Sequence, residues 1–373
     1  MGEPWLAAVV SRYGDPVTVS ASRPLAGGYV ARDVRLIELL VAGEPVAVVW
    51  KLCSAREVAA LRAVAEVPGI GRPPLLADGC GPLLAGGCQD DGCAPLLAGG
   101  CQDDGCADDG CADDRPWVLM PHHPGTPLVA GQLVPERVYE VLARVHARYL
   151  VRPPPWLPVV DAASLRRLCL AVARPAVRGA ADRAADRAGD RAADRAGDRA
   201  DTRGEGAART YALAEAALLA WACDERMLAA LTVLPATLAH GDLHRGNILF
   251  DTGQPSGADA AVSGSSGADA ADADRTAIID WGNARIAPGG LDLAVLAEQG
   301  GVDEDRYHRR LAELTGRPAS PELRAVERQW ALAMGYVQYL SFAADHLGAD
   351  RVGEMIDLAA SAFERLGPTL TRL

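Results

Sequence analysis

The chain has 373 residues and is 49% hydrophobic, which is enough to bury a substantial core and predicts two domains or lobes. No early stretch has the basic-then-apolar form of a signal peptide, and no apolar run reaches the roughly twenty residues that span a bilayer, so we expect a cytoplasmic protein with reduced thiols and no membrane partner. The formal net charge is −12. The lack of a basic stripe and the 5% aromatic content argue against a nucleic-acid-binding class.

The first predicted elements are strands and one helix. The apolar run Val46 to Trp50 predicts a strand, and Lys51, the only lysine of the chain, follows it directly. A lone lysine in a chain that otherwise uses arginine indicates a role in which a guanidinium is not interchangeable with an ammonium. Glu57 lies in the predicted helix that comes next. Upstream, the adjacent glycines Gly27 and Gly28 either let the backbone approach phosphates closely or form a hairpin turn.

Three low-complexity segments interrupt the predicted elements, at about 78–114, 178–204 and 253–275. In the first segment, residues 82–94 recur unchanged as residues 95–107, and six of the nine cysteines lie in this segment. Because the cysteine spacing comes from copying one short unit, we favour adventitious cysteines over a zinc site. We expect loosely ordered surface insertions, although the Ala, Arg and Asp of the second segment also permit a helix. Thirteen Asp within 78–114 and 256–274, with no Lys or Arg, account for the acidic charge, which therefore does not indicate a cationic substrate.

The remaining pattern indicates one more strand and then helices. Trp117 to Met120 predicts a strand that leads into a polar linker containing His122. Beyond it, helices are predicted at Pro135 to Tyr149, Thr210 to Leu231, Pro321 to Leu340 and Arg351 to Leu366.

Two motifs carry most of the chemical information. His240-Gly241-Asp242-Leu243-His244-Arg245-Gly246-Asn247 precedes a predicted strand, and Asp280-Trp281-Gly282 follows another. Asp242 and Asn247 have the spacing of the kinase catalytic loop, and Asp280 stands where protein kinases carry the Asp of Asp-Phe-Gly. Phosphoryl transfer requires a carboxylate that orients the attacking hydroxyl and oxygen ligands for Mg²⁺ on the ATP phosphates.

These motifs closely resemble those of the aminoglycoside phosphotransferase and choline-kinase-like family of small-molecule kinases, whose signature is His-Gly-Asp-x-x-x-x-Asn followed by Ile-Asp-Trp/Phe. The resemblance implies an α+β, two-lobed protein-kinase-like fold, in which residues 1–120 form an antiparallel-sheet lobe and residues 121–373 a mostly helical lobe. It also implies ATP and Mg²⁺ as cofactors.

The resemblance further implies a role for each motif residue. Asp242 would orient the acceptor hydroxyl and accept its proton, and Asn247 and Asp280 would hold Mg²⁺. Asp292, in Gly290-Leu291-Asp292-Leu293-Ala294, would hold the catalytic loop by hydrogen bonds without touching the substrate.

The nucleotide contacts would come from the amino-terminal part of the chain. Lys51 would contact the ATP phosphates, and Glu57, with Glu66 as the second choice, would hold the lysine. Gly27 and Gly28 would lie over the nucleotide, and Met120 and His122 would flank the adenine contacts, which are made by backbone groups.

The expected function is ATP-dependent phosphorylation of a hydroxyl on a small molecule, such as an aminoglycoside or another antibiotic, for resistance or self-protection. The short stretch between Asp280 and Asp292 leaves no room for the long activation loop of protein kinases, which favours a small acceptor. One alternative is a metabolite kinase of the same fold that acts on choline, homoserine, a methylthio-sugar or a nucleoside. A pseudokinase binding module is disfavoured because the lysine and the three motif residues are all present. The sequence does not predict the oligomeric state.

Overall fold

The computed structural model describes residues 4–14, 17–25, 34–70, 74–80, 116–194, 202–251 and 276–373. The chain divides into two compact units, which we describe separately. The first unit comprises Met1–Arg148, Pro154–Leu157 and His244–Ala284, and the second comprises Tyr149–Pro153, Pro158–Leu243 and Arg285–Leu373. The lobe boundary predicted near residue 120 stays a prediction.

The order of elements places most strands before most helices. The strands are β1 (Val17–Pro24), β2 (Val34–Val41), β3 (Glu44–Leu52), β4 (Ala77–Cys80), β5 (Pro116–Pro121), β6 (Thr126–Pro127), β7 (Ala236–Ala239), β8 (Ile248–Phe250), β9 (Thr276–Ile278) and β10 (Arg285–Pro288). The α-helices are α1 (Pro4–Tyr13), α2 (Ala55–Ala65), α3 (Glu136–Tyr149), α4 (Ala162–Arg167), α5 (Arg174–Asp194), α6 (Thr202–Trp221), α7 (Glu225–Val233), α8 (Gly290–Glu298), α9 (Glu304–Thr315), α10 (Pro321–Phe342) and α11 (Ala349–Leu370).

A five-stranded antiparallel sheet in the order β1-β2-β3-β5-β4 is the main feature of the first unit. Alternation along the strands gives the sheet an apolar face, where Ile37 and Val48 are fully buried in a cluster that includes Trp5 of α1. The central strand β3 pairs with β2 on one side and with β5 on the other. This double pairing fixes the backbone around Lys51, which lies opposite Val34 and Val118.

A second, small sheet of the first unit carries both motif strands. Its order is β6-β8-β9, with Ile248 opposite Ile278 and Phe250 opposite Thr276. The antiparallel pairing brings the start of β8 next to the end of β9, so Asn247, just before β8, and Asp280, just after β9, belong to the same edge of this sheet.

The second unit is mostly helical. Its core combines residues of α6, α10 and α11 with those of the π-helical turn Leu168–Ala173, and Trp330 and Leu218 at its centre are fully buried. Trp221 stacks on Phe363 with 4.7 Å between the ring centroids. The strands β7 and β10 form a two-stranded antiparallel ladder within this unit. No helix among the described residues is long and apolar enough to cross a membrane.

The predicted fold class, α+β with an antiparallel amino-terminal sheet and a mostly helical carboxy-terminal part, is confirmed. The repeat near 178–204, for which a helix was the alternative prediction, is helical up to Asp194, where α5 ends.

The prediction of a single helix from Thr210 to Leu231 is wrong, because α6 ends at Trp221 and α7 begins at Glu225. The Asp224 side chain accepts hydrogen bonds from the N–H groups of Arg226 and Met227, at 2.9 and 3.2 Å, and this N-cap starts a new helix.

A partly buried histidine predicts how the stability of the second unit responds to acid. Burial, together with Arg324 and against the opposing effect of Asp305, lowers the pKa of His308 in α9 to about 4. In the unfolded chain its pKa is about 6.5, so the unfolded state binds more protons below that pH and stability falls as the pH drops from about 6.5 towards 4. We expect urea unfolding to show this loss and His308→Gln to weaken it. An unchanged pH dependence in the variant would contradict the assignment.

Candidate active site

The only lysine of the chain lies between two carboxylates in the first unit. Lys51 Nζ is 2.7 Å from Glu57 Oε1 and 2.8 Å from Asp280 Oδ1. The lysine side chain is 12% exposed and the Glu57 side chain 4%, whereas that of Asp280 is 52% exposed. Burial by itself lowers the pKa of Lys51, but attraction and hydrogen bonds from Glu57 and Asp280 outweigh burial and raise it. The lysine is therefore held as an ammonium whose position is fixed from two sides.

The start of α2 explains why Glu57 holds this lysine. Ser54 is the N-cap of the helix, and its hydroxyl accepts the N–H of Glu57 at 3.2 Å. This places Glu57 in the first turn, where the helix dipole favours a carboxylate and the helix is nearest to β3. Burial raises the pKa of Glu57, and the Lys51 ammonium opposes that shift. The predicted first choice of carboxylate, Glu57 rather than Glu66, is thus the one found against the lysine.

Asp280 has an uncommon backbone conformation. Its φ of 63° and ψ of 63° lie in the left-handed region, which Asp tolerates better than most residues other than glycine. The next residue, Trp281, is 1% exposed, and its indole N–H donates to Ile278 O at 3.3 Å. The buried tryptophan anchors the turn, and the left-handed residue before it points the Asp280 carboxylate towards Lys51.

Asn247 is tied to the same edge by backbone hydrogen bonding. It ends the 3₁₀ turn Arg245–Asn247 and is 6% exposed, and its carbonyl accepts the N–H of Ile279 at 2.9 Å. Arg245, which is also buried, donates to Val129 O at 3.2 Å and anchors the turn to the segment after β6. Asn247 and Asp280 are therefore placed together by the β8–β9 pairing, although Asp280 lies 33 positions after Asn247 in the sequence.

The donor atoms at this edge suit Mg²⁺. This ion takes oxygen ligands and is usually held by one or two protein side chains, with nucleotide phosphates and water completing the octahedron. Asn247 and Asp280 supply one amide and one carboxylate, which matches that number. Within the described part of the chain, no three His, Cys, Asp or Glu side chains gather as a metal-binding group.

Asp242 lies in the second unit, on a loop whose backbone is held by a buried carboxylate. Asp292, fully buried in the first turn of α8, accepts the N–H of His240 with Oδ2 and the N–H of Gly241 with Oδ1, both at 2.8 Å. Gly241 has a φ of +77°, which favours glycine at this turn. The N–H of Asp242 in turn faces His240 Nδ1 at 3.3 Å. The prediction that Asp292 holds the loop by hydrogen bonds is confirmed.

Helix α10 supplies contacts that the sequence did not predict. The Tyr339 hydroxyl donates a hydrogen bond to Asp242 Oδ1, and Gln338 Nε2 donates to Gly241 O at 2.7 Å. Nothing in the sequence marks these residues, because both lie in an amphipathic run typical of a packed helix. The Asp242 carboxylate is therefore held from outside its own loop.

Among the other residues predicted to contact the nucleotide, the structure describes Met120 and His122. Gly27 and Gly28 lie outside the described residues. Met120 lies in β5, opposite Val49 of β3, and His122 follows that strand. The N–H of His122 donates to Ala47 O at 3.1 Å, so this donor is already part of the sheet and an adenine contact at His122 would use another atom. Five cysteines of the first insertion also lie outside the described residues, and Cys80 ends β4.

Comparison with known proteins gives one family match. The model of the phosphotransferase enzyme family matches residues 93–258, a span that includes Asp242 and Asn247 but neither Lys51 nor Asp280. No curated protein sequence matches the chain. The match confirms the predicted resemblance to these phosphotransferases and the prediction of a small-molecule kinase.

Several solved structures are similar over nearly the whole chain. AMP-bound spectinomycin phosphotransferase, APH(9)-Ia, is 13% identical, with 97% of this chain and 96% of that chain covered and a TM-score of 0.48. The GDP complex of aminoglycoside 2'-phosphotransferase-IIIa is 15% identical, with 96% and 97% covered and a TM-score of 0.44. A choline/ethanolamine kinase family protein from Mesorhizobium loti is 14% identical, with 98% and 92% covered and a TM-score of 0.40.

Proposed function

We propose that this small-molecule kinase of the phosphotransferase type transfers the γ-phosphoryl group of ATP to a hydroxyl of a small, hydroxylated acceptor. Asp242 orients that hydroxyl and accepts its proton as the new P–O bond forms and the bond to the ADP leaving group breaks. Lys51 contacts the ATP phosphates, and Glu57 holds the lysine. Gly27 and Gly28 contact the phosphates, and Met120 and His122 flank the adenine.

The observation that carries this proposal is the placement of Lys51 between Glu57 and Asp280, at 2.7 and 2.8 Å. A solvated surface lysine would not have a side chain only 12% exposed, held against a carboxylate from the next helix and another from a motif 229 positions away. Keeping a charged lysine in this setting costs desolvation and rotamer freedom, so a structural role alone explains it poorly. A phosphate-contacting lysine needs this kind of preorganisation.

Mg²⁺ would be held by Asn247 and Asp280, and when bound it supplies neutralising charge on the phosphate oxygens. The protein itself restrains both residues without the ion. Asn247 is buried, and the Asp280 carboxylate is oriented by the left-handed turn and by Lys51.

For the acceptor, we propose a hydroxylated antibiotic, with aminoglycosides as the first candidates. A polycation would bind best to carboxylates that lack cationic neighbours. In the second unit, however, several exposed or half-buried carboxylates are paired with arginines, namely Asp303 with Arg306, Glu304 with Arg328, Asp305 with Arg324, Asp345 with Arg183 and Glu354 with Arg351. These ion pairs reduce the negative electrostatic potential that would attract a polycation to the second unit. They support the second candidate, a metabolite kinase for a less charged acceptor such as homoserine, a methylthio-sugar or a nucleoside.

The proposed function is tested by incubating the protein with Mg-ATP and a panel of hydroxylated antibiotics and metabolites, including choline, and measuring ADP release. We expect at least one acceptor to raise ADP release well above the level with ATP alone. If no hydroxylated compound does so, or if the chain binds ATP without turnover, the pseudokinase alternative would replace the proposal.

Salt dependence separates the two acceptor classes. If the acceptor is a polycation, its KM should rise clearly between about 50 and 300 mM NaCl, because the Debye length falls across that range and screens attraction between exposed charges. The kcat at saturating ATP and acceptor, measured in the same series, is the control for a general salt effect. An acceptor KM that does not follow the salt concentration would point to a neutral sugar, nucleoside or macrolide-type compound.

The lysine assignment predicts that Lys51→Arg lowers kcat by roughly 10- to 100-fold, the cost of a displaced charged hydrogen bond. The planar guanidinium is wider than the ammonium and does not fit between the two carboxylates and a phosphate. Arg310→Lys is a matched control, because it changes an exposed cation paired with Glu313. Wild-type kinetics in Lys51→Arg, with both proteins folded, would show that Lys51 does not contact the phosphates.

A further inference from the structure

Helix α10 faces the catalytic loop with two neighbouring polar side chains. Gln338 binds the backbone of the loop at Gly241 O, and Tyr339 binds the side chain of Asp242. Both residues are half-buried, and Tyr339 packs against the main core of the second unit. The helix on which they stand contains Trp330, Met334 and Val337, all buried. The two donors are therefore presented by a rigid element rather than by a mobile loop.

We propose that Tyr339 is a positioning residue for phosphoryl transfer, which fixes the rotation of the Asp242 carboxylate through its hydrogen bond to Oδ1. This inference rests on the proposed role of Asp242. Asp292 and Gln338 bind the backbone on either side of the Gly241 peptide, whereas Tyr339 binds the carboxylate of Asp242. The carboxylate plane turns about the Cβ–Cγ bond, and a phenol anchored in the core limits that rotation.

The chemistry of the phenol suits this role. Burial, and then the neighbouring Asp242 carboxylate, raise the pKa of Tyr339 well above the usual value. The hydroxyl thus stays protonated across the pH range of catalysis and remains a donor. A carboxylate that accepts one such hydrogen bond has its remaining lone pairs held in a defined direction, as an oriented base requires.

An alternative interpretation of the same contact gives the opposite result. The phenol hydroxyl could occupy the place on Asp242 that an acceptor hydroxyl takes during turnover, in which case it would compete with the acceptor. The anchoring of Tyr339 in the core favours a permanent support, since a competing group has to move away in each cycle. The two interpretations differ in the sign of the effect when the hydroxyl is removed.

The test compares Tyr339→Phe, Asp242→Asn and the double variant with the parent protein. Rates of ADP release from Mg-ATP are measured with water as the acceptor and with the best acceptor of the panel. We expect Tyr339→Phe to lower kcat by roughly 10- to 100-fold with an unchanged KM for ATP, because one hydrogen bond to a charged group is lost while the nucleotide site is intact. In the Asp242→Asn background the same substitution should change the rate by less than about twofold, since residues that act through one another are not additive.

Tyr336→Phe is the matched control. It removes a tyrosyl hydroxyl one turn earlier on α10, where the partner is Glu298. An unchanged kcat in this control, with the expected loss in Tyr339→Phe, supports the positioning role. Parent-like kcat in Tyr339→Phe, an equal loss in both backgrounds, or a faster reaction would each overturn it. Retained turnover in Asp242→Asn would instead overturn the proposed role of Asp242 itself, so the two failures are distinguishable.

Discussion

Asp242→Asn is expected to lower kcat by roughly 10²- to 10⁴-fold, the usual contribution of a positioned general base, while ATP still binds. The substitution keeps the size of the side chain and its bond to Tyr339, but the amide does not accept a proton from the acceptor hydroxyl. Steady-state ADP release gives kcat, and calorimetry with ADP gives nucleotide affinity.

The control for Asp242→Asn is Glu313→Gln, which removes an exposed carboxylate of α9 that pairs with Arg310. It should leave kcat unchanged, since exposed ion pairs contribute little to stability and Glu313 has no proposed role. A loss of nucleotide affinity equal to the loss of kcat in Asp242→Asn would show that Asp242 supports binding rather than chemistry.

Asp280→Asn is expected to abolish the Mg²⁺ dependence of nucleotide binding. Asn tolerates the left-handed backbone that Asp280 adopts, so the turn is retained while the charge is removed. The affinity for Mg-ADP should fall by about 10- to 100-fold, whereas the affinity for ADP in EDTA should change little. Titration calorimetry with and without Mg²⁺ separates these quantities.

Asp280→Ala provides the comparison for the backbone. Ala tolerates the left-handed conformation less well, so this variant should also unfold at lower urea concentration than Asp280→Asn. If either variant binds Mg-ADP with parent affinity, Asp280 is not a magnesium ligand. The position of its carboxylate is then explained by the ion pair with Lys51.

Two contacts that were expected from the sequence are present in the structure. Glu57 was expected to hold Lys51 because it lies in the helix directly after the lysine strand, and the Ser54 N-cap gives the physical reason for its position in the first turn. Asp292 was expected to hold the catalytic loop, and the bonds to His240 and Gly241 are present.

What the sequence did not predict depends on contacts far apart in the chain. Tyr339 lies 97 positions after Asp242, and in a run of apolar residues it looks like an ordinary core residue of a helix. The break between α6 and α7 was missed for a different reason. Asp224 is a strong N-cap residue. However, the helical spacing of apolar residues continues across it, so the sequence pattern did not indicate that one helix ends and another begins there.

Transfer of a phosphoryl group from ATP to a hydroxyl can be observed by ³¹P NMR of the reaction with the best acceptor of the panel. If the protein performs this transfer, a new phosphomonoester signal grows in step with ADP as the γ-phosphate signal of ATP disappears, and no such signal appears with Asp242→Asn. ADP accompanied only by inorganic phosphate, or ATP that remains unconsumed with every acceptor, would contradict it.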